Sequence, residues 1–217
     1  MDERAARPTL ARISLLAILL VSFALAAARL GYQELSGDEA FGYFFSLQSY
    51  RDIVRSTLAL GEPHPVAGYF LQKAWLTAVG DGEFALRFTS AAWSLLAVAL
   101  LYVLARRLAL GRASALLAAM LLGISPYAIW HAQNARMYAM GLALTLASSL
   151  LVIEAMSRRR WIIWAAYVVV SWLCLQTHYY TAFVILVQNI AVVAWVLLIR
   201  RRLRELDPWV AAQLALA

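Results

Sequence analysis

The chain has 217 residues, of which 64% are hydrophobic and only 14% charged, with a formal net charge of +7. Soluble domains carry about 25% charged residues, so this composition excludes an ordinary soluble domain. The basic excess sits in short clusters between apolar blocks, which marks membrane topology and argues against a nucleic-acid partner.

The first apolar block runs from Ile13 to about Leu30, after Arg4, Arg7 and Arg12. It is long for a signal-peptide core and no clear small-residue cleavage site follows, so it reads as a retained first span. Further blocks cover about 84–105, 113–130, 136–156, 161–178 and 179–199. Blocks of this kind are long enough to cross a hydrocarbon core of about 30 Å as helices. Another begins near Trp209 and the sequence stops inside it, which predicts a piece of a longer chain. Backbone in lipid must satisfy its own hydrogen bonds, and no barrel-type alternation is present. The expected fold is therefore all-α: one polytopic membrane domain over 1–217, with six to seven transmembrane helices.

Placing the N-terminus in the cytoplasm puts thirteen of the 19 basic residues on that side. They are Arg4, Arg7 and Arg12; Arg106, Arg107 and Arg112; Arg158 to Arg160; and Arg200, Arg201, Arg202 and Arg204. The positive-inside rule thus predicts a cell-membrane protein, the cytoplasmic membrane or its equivalent, with its large polar loop outside.

That loop, 31–83, is too long for a connector. It holds seven of the twelve acids and many aromatics. Tyr43, Leu47, Tyr50, Val54 and Leu58 recur at helical spacing. A second helix is expected from about Pro65 to Val79. The loop therefore reads as two interfacial helices joined by a rigid turn.

Three motifs on this side can carry chemistry. In SGDEAF, the neighbouring carboxylates Asp38 and Glu39 can activate a hydroxyl or hold a divalent cation. Ser36 and Glu39 equally fit a capping box that starts a helix. In GEPHPVAGYF, His64 sits between two prolines that stiffen the backbone, and suits a metal or phosphate, or a plain turn. In SPYAIWHAQNARMYAM, Asn134 is expected to cap the fourth span and to place Arg136 in its first turn. A guanidinium at a helix N-terminus makes a phosphate clamp, against the alternative of a snorkelling arginine. His178 in THYY lies at a later outer turn. Cys174 reads as a buried apolar residue, and Gln188 and Asn189 as interhelical hydrogen-bonding amides.

In order along the chain, the DE pair, the EPHP turn, GDGEFALRFTSA and SPYAIWHAQNARMYAM resemble the GT-C membrane glycosyltransferases that use polyprenyl-phosphate sugars. These include protein O-mannosyltransferases, lipid A aminoarabinose transferases and galacturonosyltransferases of lipopolysaccharide cores. The resemblance covers most of residues 30–200. It implies that Asp38, with Glu39, activates or positions the acceptor. It implies that Arg136, His64 and Tyr138 bind the donor phosphate, with Gln133, Glu62 and His178 as further site residues. A divalent metal would fall at Asp38, Glu39 and His64. The implied partners are a polyprenyl-phosphate-linked sugar and a lipid, glycan or protein acceptor. The family turn often reads HPPL where this chain has HPVA, and an acid is common where Asn134 stands. The expected activity is inverting sugar transfer at the outer interface. Rival readings are a transporter or flippase of a lipid-linked substrate, for which mid-span ionisable groups are missing, and a non-catalytic scaffold.

Overall fold

A computed structural model describes residues 3–158, 160–200 and 206–216, without the side chains of 3–8 and 200. Of the arginine clusters, Arg159, Arg201, Arg202 and Arg204 lie outside the described residues, as do the side chains of Arg4, Arg7 and Arg200. The described chain is helical, without strands.

Helix α1 (Glu3–Ala27) is followed by α2 (Gly37–Leu47), α3 (Tyr50–Leu58) and α4 (Ala67–Val79) in the polar loop. Then come α5 (Glu83–Arg107), α6 (Arg112–Gly123), α7 (Pro126–Ala132), α8 (Tyr138–Arg158) and α9 (Trp161–Thr177). Next is α10 (Thr181–Trp195), which runs into a π turn (Val196–Arg200), and last α11 (Asp207–Leu216).

Each expected apolar block is helical. Among the described residues, four segments are long and apolar enough to span: Thr9–Ala27, Glu83–Arg107, Tyr138–Arg158 and Thr181–Ile199. Helices α6 and α7 supply a fifth as a pair bent by 58°. The bend falls at Ser125–Pro126 because proline lacks an N–H and disfavours helical torsions in the residue before it. Ser125 then caps α7, accepting from the Ala128 N–H. Helix α9, at 17 residues, is shorter, and α11 opens near the expected Trp209.

The loop departs from expectation. It holds three helices, since the predicted stripe from Tyr43 to Leu58 is broken at Gln48–Ser49. Ser49 is the cause: its side chain accepts from the Asp52 N–H and starts a new helix. Such caps satisfy the free N–H groups of a first turn.

Helix α5 is the hub, packing on α1, α4, α6, α7 and α8. Close approach needs small residues: a Cβ on Gly123 of α6 would fall 1.9 Å from Ser22 Oγ of α1. Farther along, Gln188 Nε2 donates to Ser149 Oγ (3.0 Å), and its carbonyl accepts from Ser148 and Tyr167. Asn189 bonds Gln213 and Trp209 of α11. These amides are interhelical ties, as their mid-span position suggested. Cys174 is fully buried.

Candidate active site

The capping box at Ser36–Glu39 forms, with the Glu39 carboxylate accepting from the Ser36 N–H at 3.0 Å. That accounts for only part of the carboxylate. Arg87 of α5 donates from Nε to Oε1 (2.8 Å) and from Nη2 to Oε2 (2.9 Å), a bidentate pair. The Ala135 N–H donates to Oε1 at 2.9 Å. Arg87 spends its remaining donors on the carbonyls of Leu30, Gln33 and Glu34. All five guanidinium N–H groups are thereby engaged. Both residues are buried, at 3% and 4% exposure.

Burial alone would raise the Glu39 pKa. The Arg87 hydrogen bond, then the Ala135 and Ser36 N–H groups, outweigh it and hold the carboxyl at about 2. Glu39 is thus a fixed anion that binds the start of α2 to α5 and to the α7–α8 linker.

Asp38, next along α2, is exposed and makes no side-chain hydrogen bond among the described residues. Its backbone carbonyl accepts from Arg136 Nη1 at 3.2 Å. Arg136 is not in the first turn of α8, and Asn134 does not cap that helix. Helix α8 starts at Tyr138, and Arg136 lies in the linker before it, where its N–H turns back to the Asn134 carbonyl. The linker is held from two sides, by Glu39 through Ala135 and by Ser90 Oγ donating to the Arg136 carbonyl (3.3 Å). Arg136 Nε is buried without a partner. Beside it is a cavity of about 40 Å³, lined by Tyr69, Gln72, Ser90 and Met140 among others, with room for water.

The EPHP turn faces the same arginine. Glu62, 3% exposed, takes three donors on Oε1: the His64 N–H (3.0 Å), the Tyr69 hydroxyl (2.9 Å) and His64 Nδ1. Burial pushes the Tyr69 hydroxyl pKa up, Arg136 pulls it down and Glu62 raises it, for a net rise. The His64 ring lies 5.4 Å from that of His178, which lies 5.5 Å from Tyr138. His178 has its pKa lowered by burial and then by the charges of His64 and Arg136.

Of the residues singled out in the sequence, the structure brings Asp38, Arg136, Glu62, His64, Tyr138 and His178 to one end of the bundle. Gln133 has another task there: its amide donates to the Leu25 and Ala28 carbonyls at the C-terminus of α1. Those carbonyls lack intrahelical partners, which is why a donor is needed. The metal set is not assembled. Glu39 is fully engaged, and among the described residues no three His, Cys, Asp or Glu side chains converge to hold an ion. Two residues escaped sequence reasoning. Arg87 sits at the entry to an apolar block, a position whose cost was itself a signal. Tyr69 looked like one aromatic among many.

The polytopic bundle of apolar helices and the comparison with known families define the class: an integral membrane glycosyltransferase of the GT-C type, using polyprenyl-phosphate sugars. The chain belongs to the dolichyl-phosphate-mannose-protein mannosyltransferase family, whose profile matches residues 63–217. The matched span takes in His64, Arg87, Arg136, Tyr138 and His178, and begins after Asp38, Glu39 and Glu62. No curated protein and no solved structure matches the chain.

Proposed function

We propose that the chain transfers a sugar from a polyprenyl-phosphate donor to a lipid, glycan or protein acceptor, with inversion, at the outer membrane–water interface. The observation that carries this reading is the pairing of a carboxylate free among the described residues, Asp38, with a guanidinium, Arg136, that touches the Asp38 backbone and keeps a buried, unpartnered Nε.

Asp38 takes the proton of the acceptor hydroxyl as its oxygen attacks the anomeric carbon. The bond from that carbon to the phosphate oxygen breaks, and the electron pair leaves with the phosphate. Arg136 stabilises the charge that gathers there, with His64 and Tyr138 as further contacts. Attack opposite the leaving group inverts the anomeric configuration. Glu39 and Arg87 are positioning residues, because they hold the backbone on both sides of the contact. The outer placement rests on the arginine-rich turns at the other end of the spans.

Polyprenyl phosphate release from labelled donors tests this, in membranes holding the full chain or its Asp38→Asn variant at matched expression. Release by the parent and a loss of about 10²–10⁴-fold in the variant are expected. Equal release by both removes Asp38 from the mechanism.

A further inference from the structure

The opposite end of the bundle carries a second arrangement that the transfer reaction does not use. Arg107 lies about 30 Å along α5 from Arg87, at 1.5 Å per residue. There Glu154 of α8 sits between two arginines. Arg107 Nε is 2.6 Å from Glu154 Oε1, and Arg158 Nε is 2.6 Å from Oε2. One carboxylate thus gathers two guanidiniums from different helices and leaves an excess positive charge. Both arginine side chains remain about half exposed, at 47% and 53%.

Directly beside them runs a groove of about 580 Å³. Its floor is α8, through Val152, Ile153 and Met156. One wall is α5, through Leu104 and Leu108, and the other α10, through Val184 and Ala191. Leu104 and Leu108 lie within one turn of Arg107, and Ile153 and Ser157 within one turn of Glu154 and Arg158, so the lining of the groove reaches the turns that carry the cationic pair. A neutral apolar helix would fill such a groove but leave the charge beside it unmatched. A molecule with an anionic head and a hydrocarbon tail satisfies both parts.

We propose that this groove binds an anionic glycerophospholipid, one acyl chain lying between α5 and α10 and the phosphate held by Arg107 and Arg158. Glu154 gathers the two guanidiniums on one carboxylate, so both can reach one phosphate, and the hydrocarbon lies along the groove between the helices. The lipid fastens α10 to the α5–α8 pair at the arginine-rich end.

Native mass spectrometry of the purified full chain with phosphatidylglycerol or phosphatidylcholine tests the proposal. Retention of the anionic lipid should exceed that of the zwitterionic one by on the order of tenfold. The double variant Arg107→Gln/Arg158→Gln should lose that preference. Ala191→Trp fills the groove while leaving Glu154 and both arginines in place, and should weaken retention of phosphatidylglycerol, a test that stands even where the double variant fails to fold. Equal retention of both lipids by the parent overturns the proposal. So does undiminished phosphatidylglycerol retention by Ala191→Trp, or a photocrosslinker at position 191 that captures a second polypeptide rather than lipid.

Discussion

Two arginines stand at the same end of this bundle, and they are in opposite states. Arg87 is buried, and every donor it has is matched by Glu39 or a backbone carbonyl. Arg136 donates through Nη1 to the Asp38 carbonyl and also bonds the Tyr69 hydroxyl, yet its Nε is buried without a partner among the described residues. A saturated guanidinium can only hold structure in place, whereas an unsaturated one has capacity left for a ligand. The acids divide the same way, with Glu39 saturated and Asp38 free.

Replacing Arg87 tests the saturated half most severely. Arg87→Met leaves Glu39 buried without its cation, which should cost about 3–5 kcal/mol of stability. Thermal unfolding of the purified chain reads this directly. Arg87→Met/Glu39→Gln should recover much of the loss, since the uncompensated charge is gone. A single variant as stable as the parent would break the contrast.

Acid sharpens it further. Glu39 has a folded pKa of about 2 against an ordinary 4.5, so the folded state prefers the ionised form. Its stabilisation is fully present above about pH 4.5 and is lost as pH falls from there towards 2. Thermal midpoints should fall across that window in the parent. In the double variant the fall should be smaller.

The unsaturated half should respond in function rather than stability. Arg136→Gln removes charge-assisted contacts worth about 1.5–3 kcal/mol, or roughly ten- to hundredfold in kcat/KM. Its melting temperature should stay close to that of the parent. A large loss of stability with unchanged kinetics would place Arg136 beside Arg87. The smallest effect is expected at Gln133→Ala, about 1 kcal/mol from the lost ties to α1, read by thermal unfolding.

The fold was legible because apolar block length is a one-dimensional signal, and all six blocks are helical. The break at Gln48–Ser49 was missed because the apolar spacing runs smoothly across it, and a single side-chain cap decides the outcome. At the site, Asp38, Glu39, His64 and Arg136 were visible as polar residues in unusual settings. Their division of labour was not. Whether a carboxylate is free or saturated depends on partners 48 and 96 positions away, here Arg87 and Ala135, and spacing within a motif carries none of that. The expected start of α8 at Asn134 failed for a related reason. The Ala135 N–H is bonded to Glu39 rather than entering a helix.

The most direct test is binding of labelled polyprenyl-phosphate sugar to the parent, Asp38→Asn and Arg136→Gln chains under conditions without acceptor. Asp38→Asn should bind donor as the parent does, because its role begins with the acceptor, while Arg136→Gln should bind it at least tenfold more weakly, about 1.4 kcal/mol. Donor binding retained by Arg136→Gln, or lost equally in both variants, would contradict these roles.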